Sequence, residues 1–198
     1  DLLFRAGIAF VGYDDGSVVS LRVADGSVVW NQTIASPDGR TELDRLADIG
    51  SQMVIIASDL IVSSYKSRVV SIAADSGRLL WFKDISSATG VQVDRTKLAV
   101  SEQNGDLWML DRRNGSTTWK LDRMSNRGLT RPAFYGNYVV VGDVEGYLHW
   151  IDADIGSFVA RVRPAKKPLA APPLTVGTTM YVLPRQGKLI ADRAGAAI

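Results

Sequence analysis

The 198-residue sequence contains no cysteine. That excludes disulfides, thiolate metal sites and cysteine nucleophiles together. It leaves the compartment open, because cytosolic and periplasmic proteins can both do without cysteine. Histidine occurs once, at His149. With no second histidine and no cysteine, a transition-metal centre or a His-based triad has no ligand set to build on. His149 lies within an apolar run and reads as a partly buried packing residue. No run reaches the ~18 apolar residues of a membrane-spanning helix. The net charge is only +2, too small to point to nucleic acid or to a polybasic membrane anchor. No segment of about ten residues or more carries a helical apolar period, which leaves an all-β chain. The first residue is Asp1 rather than Met, so a processed or truncated start is expected and the lack of a signal peptide excludes nothing.

What the chain has is a repeated phrase. It reads GYDDGSVVSLRVADGSVVW (12–30), SYKSRVVSIAADSGRLLW (64–81), SEQNGDLWMLDRRNGSTTW (101–119), GDVEGYLHWIDADIGSFVA (142–160) and a clipped LPRQGKLIADRAG (183–195). The first-turn anchors Gly16, Ser67, Gly105, Gly146 and Gly187 are 51, 38, 41 and 41 residues apart. The end anchors Trp30, Trp81, Trp119 and Ala160 repeat the spacings 51, 38 and 41. Two independent anchors therefore give one register. Each copy reads as strand, turn, strand, because Gly in tight turns supplies a positive φ. The middle strands (Val18–Val23, Val69–Ala73, Leu107–Leu110, Leu148–Ile151, Leu189–Ala191) are apolar on both faces, as strands buried between two sheets must be. A further strand precedes each first turn, and a weaker one precedes that, giving four strands per unit.

A four-stranded unit repeating every ~40 residues predicts a β-propeller. Blades are expected at about 1–34, 49–86, 87–122, 129–163 and 170–198, the first and last incomplete. Closed rings typically have 4 to 8 blades, so a four-bladed ring is possible in principle, but the clipped copies at both ends point to one partial propeller, an arc of about four to five blades.

The largest departure from the repeat is the connection 35–48, ASPDGRTELDRLAD. From Trp30 to the next anchor takes 37 positions, against 24, 27 and 27 in later copies. Long connections in compact domains are disproportionately functional. Asp38, Glu42, Asp44 and Asp48 against Arg40 and Arg45 give it a charge of −2, opposite to the chain as a whole. Leu43 and Leu46 can bury against the propeller or against a partner. An idle solvated insertion is the competing reading.

Other candidates have plain structural readings. Trp30, Trp81 and Trp119 hold one strict repeat position, so they read as packing between blades rather than as a ligand platform. Trp108 and Trp150 on the middle strands read the same way. Asp14, Asp15, Asp143 and Glu145 would bind Ca²⁺ only if they converged, and Asp before Gly in a turn is expected on backbone grounds alone. The basic stretch 161–167 with Arg123, Arg127 and Arg131 would suit anionic lipid or an acidic partner. Such clusters are usually just solvated, and without interleaved aromatics they do not read as a nucleic-acid surface.

The D-G-x-L/V-x-x-L-D-x-x-x-G-x-x-x-W unit resembles the repeat of quinoprotein-like propellers, in which the Trp packs between neighbouring blades. More narrowly, TELDRLADIG (41–50) with VVVGDVEGYLHWIDADIGSFVARV (139–162) resembles the BamB family. These are lipoprotein scaffolds of the outer-membrane β-barrel assembly machinery. The resemblance implies the C-terminal half of an eight-bladed ring and a non-enzymatic protein without cofactor or metal. It implies a place on the periplasmic face of the outer membrane, held by an N-terminal lipid. The implied partner is a periplasmic POTRA domain of the barrel-forming subunit BamA, with unfolded barrel precursors as further partners. The partner surface so implied falls on Glu42, Asp44, Arg45, Leu46 and Asp48. Asp48 matches the first carboxylate of the family's Asp-x-Asp, whereas Gly50 stands at the second. A second contact loop, carrying leucines and an arginine, would lie upstream of residue 1. The same repeat also builds dehydrogenases that hold pyrroloquinoline quinone with calcium, commonly beside adjacent cysteines. The middle strands here carry no unusual carboxylate or arginine for that role. A propeller sensor or binding domain of another envelope protein is the third reading.

Overall fold

The structure, a computed structural model, describes residues 1–34, 52–64 and 68–192. All regular structure in the described residues is strand, nineteen in number. The chain divides into two compact units, residues 1–90 with 113–115 and residues 91–112 with 116–198.

The first unit holds two four-stranded antiparallel meanders. One is β1 (Leu2–Arg5), β2 (Ile8–Gly12), β3 (Ser17–Arg22) and β4 (Val28–Thr33). The other is β5 (Gln52–Ile56), β6 (Asp59–Ser63), β7 (Val69–Ala73) and β8 (Leu79–Lys83). The second unit holds β9 (Val91–Val93), β10 (Lys97–Ser101), β11 (Leu107–Asp111) and β12 (Thr117–Leu121) as one sheet. A second sheet there is β13 (Ala133–Tyr135), β14 (Tyr138–Gly142), β15 (Leu148–Asp152) and β16 (Phe158–Val162). A three-stranded sheet follows, of β17 (Leu174–Val176), β18 (Thr179–Val182) and β19 (Ile190–Asp192).

The first sheet is complete, which corrects the expectation of a clipped one. Leu2–Arg5 pairs with Ile8–Val11 across a turn at Ala6 and Gly7, with φ of 50° and 80°. Three apolar residues and an arginine around an unmarked Arg-Ala-Gly turn carry too little pattern to announce a strand. The last sheet has three strands among the described residues.

Burial follows position in the meander. The second strands β6, β10 and β14 and the third strands β7, β11 and β15 are almost wholly buried, whereas the outer strands β8, β12 and β16 alternate or face water. Successive side chains of a strand point to opposite faces. On β14, Val139 and Val141 therefore enter one core cluster with Met109 and Ile151. Val140 enters a different one with Trp150, Met180 and Val182. A sheet that feeds cores on both faces cannot alternate apolar with polar, which explains the unbroken apolar runs. Each fully buried Val, Leu or Ile stabilises by roughly 1.5–3 kcal/mol relative to exposure.

Among the described residues the first and second turns of a copy differ in kind. In the first, Gly16, Gly105 and Gly146 donate their amides to the carbonyls of Tyr13, Glu102 and Asp143, three residues back. With φ between 81° and 98°, these glycines complete type I turns with a bulge, the common three-residue hairpin. Gly146 has a second constraint, since a Cβ there would strike the Ala165 carbonyl oxygen. In the second turn, Gly26, Gly77 and Gly156 donate to carbonyls four residues back. A bulge follows at the same place in every four-stranded sheet, between Ser20 and Leu21, Ser71 and Ile72, Met109 and Leu110, and Trp150 and Ile151. The extra residue (Val29, Leu80, Thr118, Val159) precedes the Trp position and adds twist to the outer strand.

Candidate functional site

The residues singled out for partner binding, Glu42, Asp44, Arg45, Leu46 and Asp48, lie outside the described residues, as does the whole 35–48 connection. The structure places the tryptophans. Trp30 and Trp81 are each 8% exposed and Trp119 is half-buried. Each indole covers the second-turn glycine of the following copy. A Cβ on Gly77 would lie 2.8 Å from Trp30 Cδ2, one on Gly115 2.6 Å from Trp81 Cε3, and one on Gly156 2.6 Å from Trp119 Cδ2. Trp30 Nε1 also donates to the Ala74 carbonyl in the turn beneath at 3.0 Å, and Trp119 Nε1 to that of Ala153 at 3.1 Å. The Gly and the Trp of the repeat are thus two halves of one contact. Gly26 has the same φ, +72°, and nothing within 4 Å of its Cβ position.

Trp108 departs from the expected packing role. It is half-buried, its Nε1 donates to Glu102 Oε2 at 2.8 Å, and Lys120 Nζ sits 4.6 Å from its ring centre. Lys120 also meets Asp106 at 2.6 Å, and that hydrogen bond raises the ammonium's pKa. Trp150 is buried and packs edge-on against Tyr135 and Tyr138.

The turn carboxylates are occupied by their own turns. Asp15 Oδ1 accepts from the Ser17 hydroxyl and amide, which lowers its pKa. Asp143, 1% exposed, is a heavily bonded carboxylate. Its Oδ1 accepts from the amides of Glu145 and Tyr147, both at 2.9 Å. Its Oδ2 meets His149 Nε2 at 2.9 Å and accepts from Arg127 Nη1 at 3.0 Å. Burial pushes this carboxyl up, but the bonds from His149, the Tyr147 amide and Arg127 outweigh it and hold it below the usual range. His149 itself is 2% exposed and is tied to a charged cluster rather than serving as plain filler. The signal for this cluster was an Asp at the hairpin turn and a His on the next strand.

A family model described as outer membrane protein assembly factor BamB matches residues 2–121. The chain belongs to the BamB family. The curated BamB of Pseudomonas aeruginosa is 39% identical over 96% of this chain and 50% of its own length. That of Alkalilimnicola ehrlichii is 36% identical over 92% of this chain and 48% of its own. The Escherichia coli BamB is 30% identical over 91% of this chain and 46% of its own. The chain therefore spans about half the length of the curated relatives it matches. The crystal structure of BamB from Moraxella catarrhalis superposes with a TM-score of 0.85 at 24% identity, covering 96% of this chain and 56% of that one. A computationally designed protein, Ika8, matches with a TM-score of 0.73 at 16% identity, over 97% of this chain and 57% of that one. These likenesses with the antiparallel sheets show the β-propeller fold.

Proposed function

We propose that this chain is the docking half of a non-enzymatic scaffold at the periplasmic face of the outer membrane. It binds a POTRA domain of BamA and assists insertion of β-barrel proteins, and a lipid at the N-terminus of the full-length protein anchors it. The observation that carries this reading is the family match over residues 2–121, joined by relatives named as outer membrane protein assembly factors. The five sheets are read as consecutive blades of one partial propeller, at about 1–34, 49–86, 87–122, 129–163 and 170–198. The partner contact is assigned to the 35–48 connection, where Asp48 and Arg45 make charge-assisted hydrogen bonds and Leu46 buries. A photo-crosslinking residue at position 46 in the full-length protein should trap BamA in intact envelopes. Capture at position 155, in an exposed turn, but not at 46 would overturn the assignment.

A second contact mode is supported by the outer strands. β4, β8 and β16 end their sheets and expose Val28, Val29, Leu79, Phe82, Phe158 and Val159. Strands with a free edge accept an added strand through main-chain hydrogen bonds. On this reading barrel precursors pass along those edges. Slower amide exchange in β4, β8 or β16 on adding a precursor peptide is the expected result, and unchanged exchange would refute it.

A further inference from the structure

Within the 91–112/116–198 unit an open pocket of about 430 Å³ lies beside β16. Arg123, Met124 and Arg127 reach it from the segment between β12 and β13, His149 from β15, and Phe158 and Arg161 from β16. The sequence scatters these residues over almost forty positions, and the antiparallel register gathers them, with Arg161 directly opposite His149.

The charge balance of this pocket is unfilled. Of its three guanidinium groups, only Arg127 has a carboxylate partner, donating to Asp143 at 3.0 Å and lying 3.7 Å from Glu145. Arg123 and Arg161 pair with no carboxylate among the described residues. Asp143 cannot serve them, because both its oxygens are already committed to His149, Arg127 and two amides. Arg161 is steadied instead by the Tyr147 ring, 4.9 Å from its guanidinium carbon. His149 forms the floor of the pocket. It is 2% exposed and lines the pocket, yet its buried Nδ1 has no hydrogen-bond partner.

The remaining wall is apolar, made by Phe158 and Val159, which are 42% and 39% exposed, with Met124 buried beneath. The ligand is therefore an oxyanion carried next to an apolar group. Guanidinium forks match the planar two-oxygen geometry of a carboxylate. β16 is the outermost strand of its sheet, so backbone groups along its free edge stand ready for an extended chain. A lipid headgroup has no backbone to use them.

We propose that this pocket binds a carboxylate of an extended peptide, held by Arg123 and Arg161, with the neighbouring apolar side chain resting on Phe158 and Val159. This site is independent of the 35–48 connection and stands whether or not that segment docks a POTRA domain.

The test titrates the isotopically labelled full chain with an acetylated, amidated Val-Glu-Phe-Val peptide and with its glutamine counterpart. Amide shifts should concentrate at 158–161 and at His149. The glutamate peptide should bind about tenfold more tightly, the loss expected when a charge-assisted pair is removed. Arg123→Gln with Arg161→Gln should erase that tenfold preference, and the glutamine peptide measured on the unaltered chain gives the same information without any variant. Equal binding of the two peptides would overturn the proposal. So would inorganic phosphate saturating the same amides at the peptide's affinity, which would mark a bare oxyanion site. Phosphatidylglycerol vesicles shifting 158–161 where the peptide does not would assign the pocket to lipid and refute it as well.

Discussion

Alanine at Gly156 and at Gly26 places the same substitution in the same kind of turn with and without a neighbour above it. Both glycines have φ near +70°. An alanine there pays roughly 1–2 kcal/mol for the left-handed conformation. At Gly26 that is the whole cost, because nothing lies within 4 Å of the new Cβ. At Gly156 the Cβ would lie 2.6 Å from Trp119 Cδ2, so the indole must move. Forcing extra volume into a packed contact costs about 1–3 kcal/mol. Displacing the ring also weakens the Nε1 bond to Ala153, a net ~1 kcal/mol. The totals are roughly 1–2 kcal/mol for Gly26→Ala and roughly 3–6 kcal/mol for Gly156→Ala. With a urea slope of about 2 kcal/mol per molar, the unfolding midpoints should fall by about 0.5–1 M and about 1.5–3 M. In a Trp119→Ala background the Gly156→Ala penalty should drop to the Gly26 value, since the clash is gone. Equal midpoint shifts for the two alanines, or an undiminished penalty in that background, would refute the Gly–Trp contact as the reason the repeat holds both residues.

Other outcomes follow from the same geometry. Asp143→Asn should destabilise by about 2–4 kcal/mol at neutral pH, because it removes a buried charge that Arg127 and His149 depend on. The depressed pKa of Asp143 means that its contribution is fully present above the ordinary carboxylate value of ~3.9 and is lost as pH falls through the lower folded value. The two unfolding curves, compared across acid pH, should therefore converge only below ~pH 4. Ile151→Ala should cost about 2–5 kcal/mol by calorimetry, since Ile151 is fully buried where β14, β11 and β15 meet. Trp30→Phe keeps most of the ring contact but loses the Nε1 bond to Ala74, so its loss should stay near ~1 kcal/mol, well below that of Trp30→Ala.

Much of the fold was legible because it is periodic. Gly105 and Gly146 announce their turns by residue type, and unbroken runs such as Val139–Val141 announce strands buried on both faces. β1 was not legible: its turn rests on Ala6 at φ 50°, a residue no turn rule flags. The Gly–Trp contact was half legible. The repeat marked both positions, but nothing local says that Trp119 lands on Gly156, because their meeting depends on how successive sheets pack. Trp108 misled for the converse reason. An aromatic on a buried strand reads as core, whereas its indole N–H and the Lys120 ammonium draw it to the polar side. The Asp143–His149–Arg127 cluster stayed hidden because each member has a bland local explanation, and only the hairpin joins them.

The proposed docking of the barrel-forming subunit through the long acidic connection stands or falls with Asp48. The direct measurement is the affinity of the full-length protein for the purified POTRA domains of BamA, with and without Asp48→Lys. Reversal of a charge in a hydrogen-bonded interface pair costs about 2–5 kcal/mol, so Asp48→Lys should weaken the Kd at least ~30-fold with an unchanged unfolding midpoint. Binding of equal strength by both proteins, or no binding by either, would contradict it.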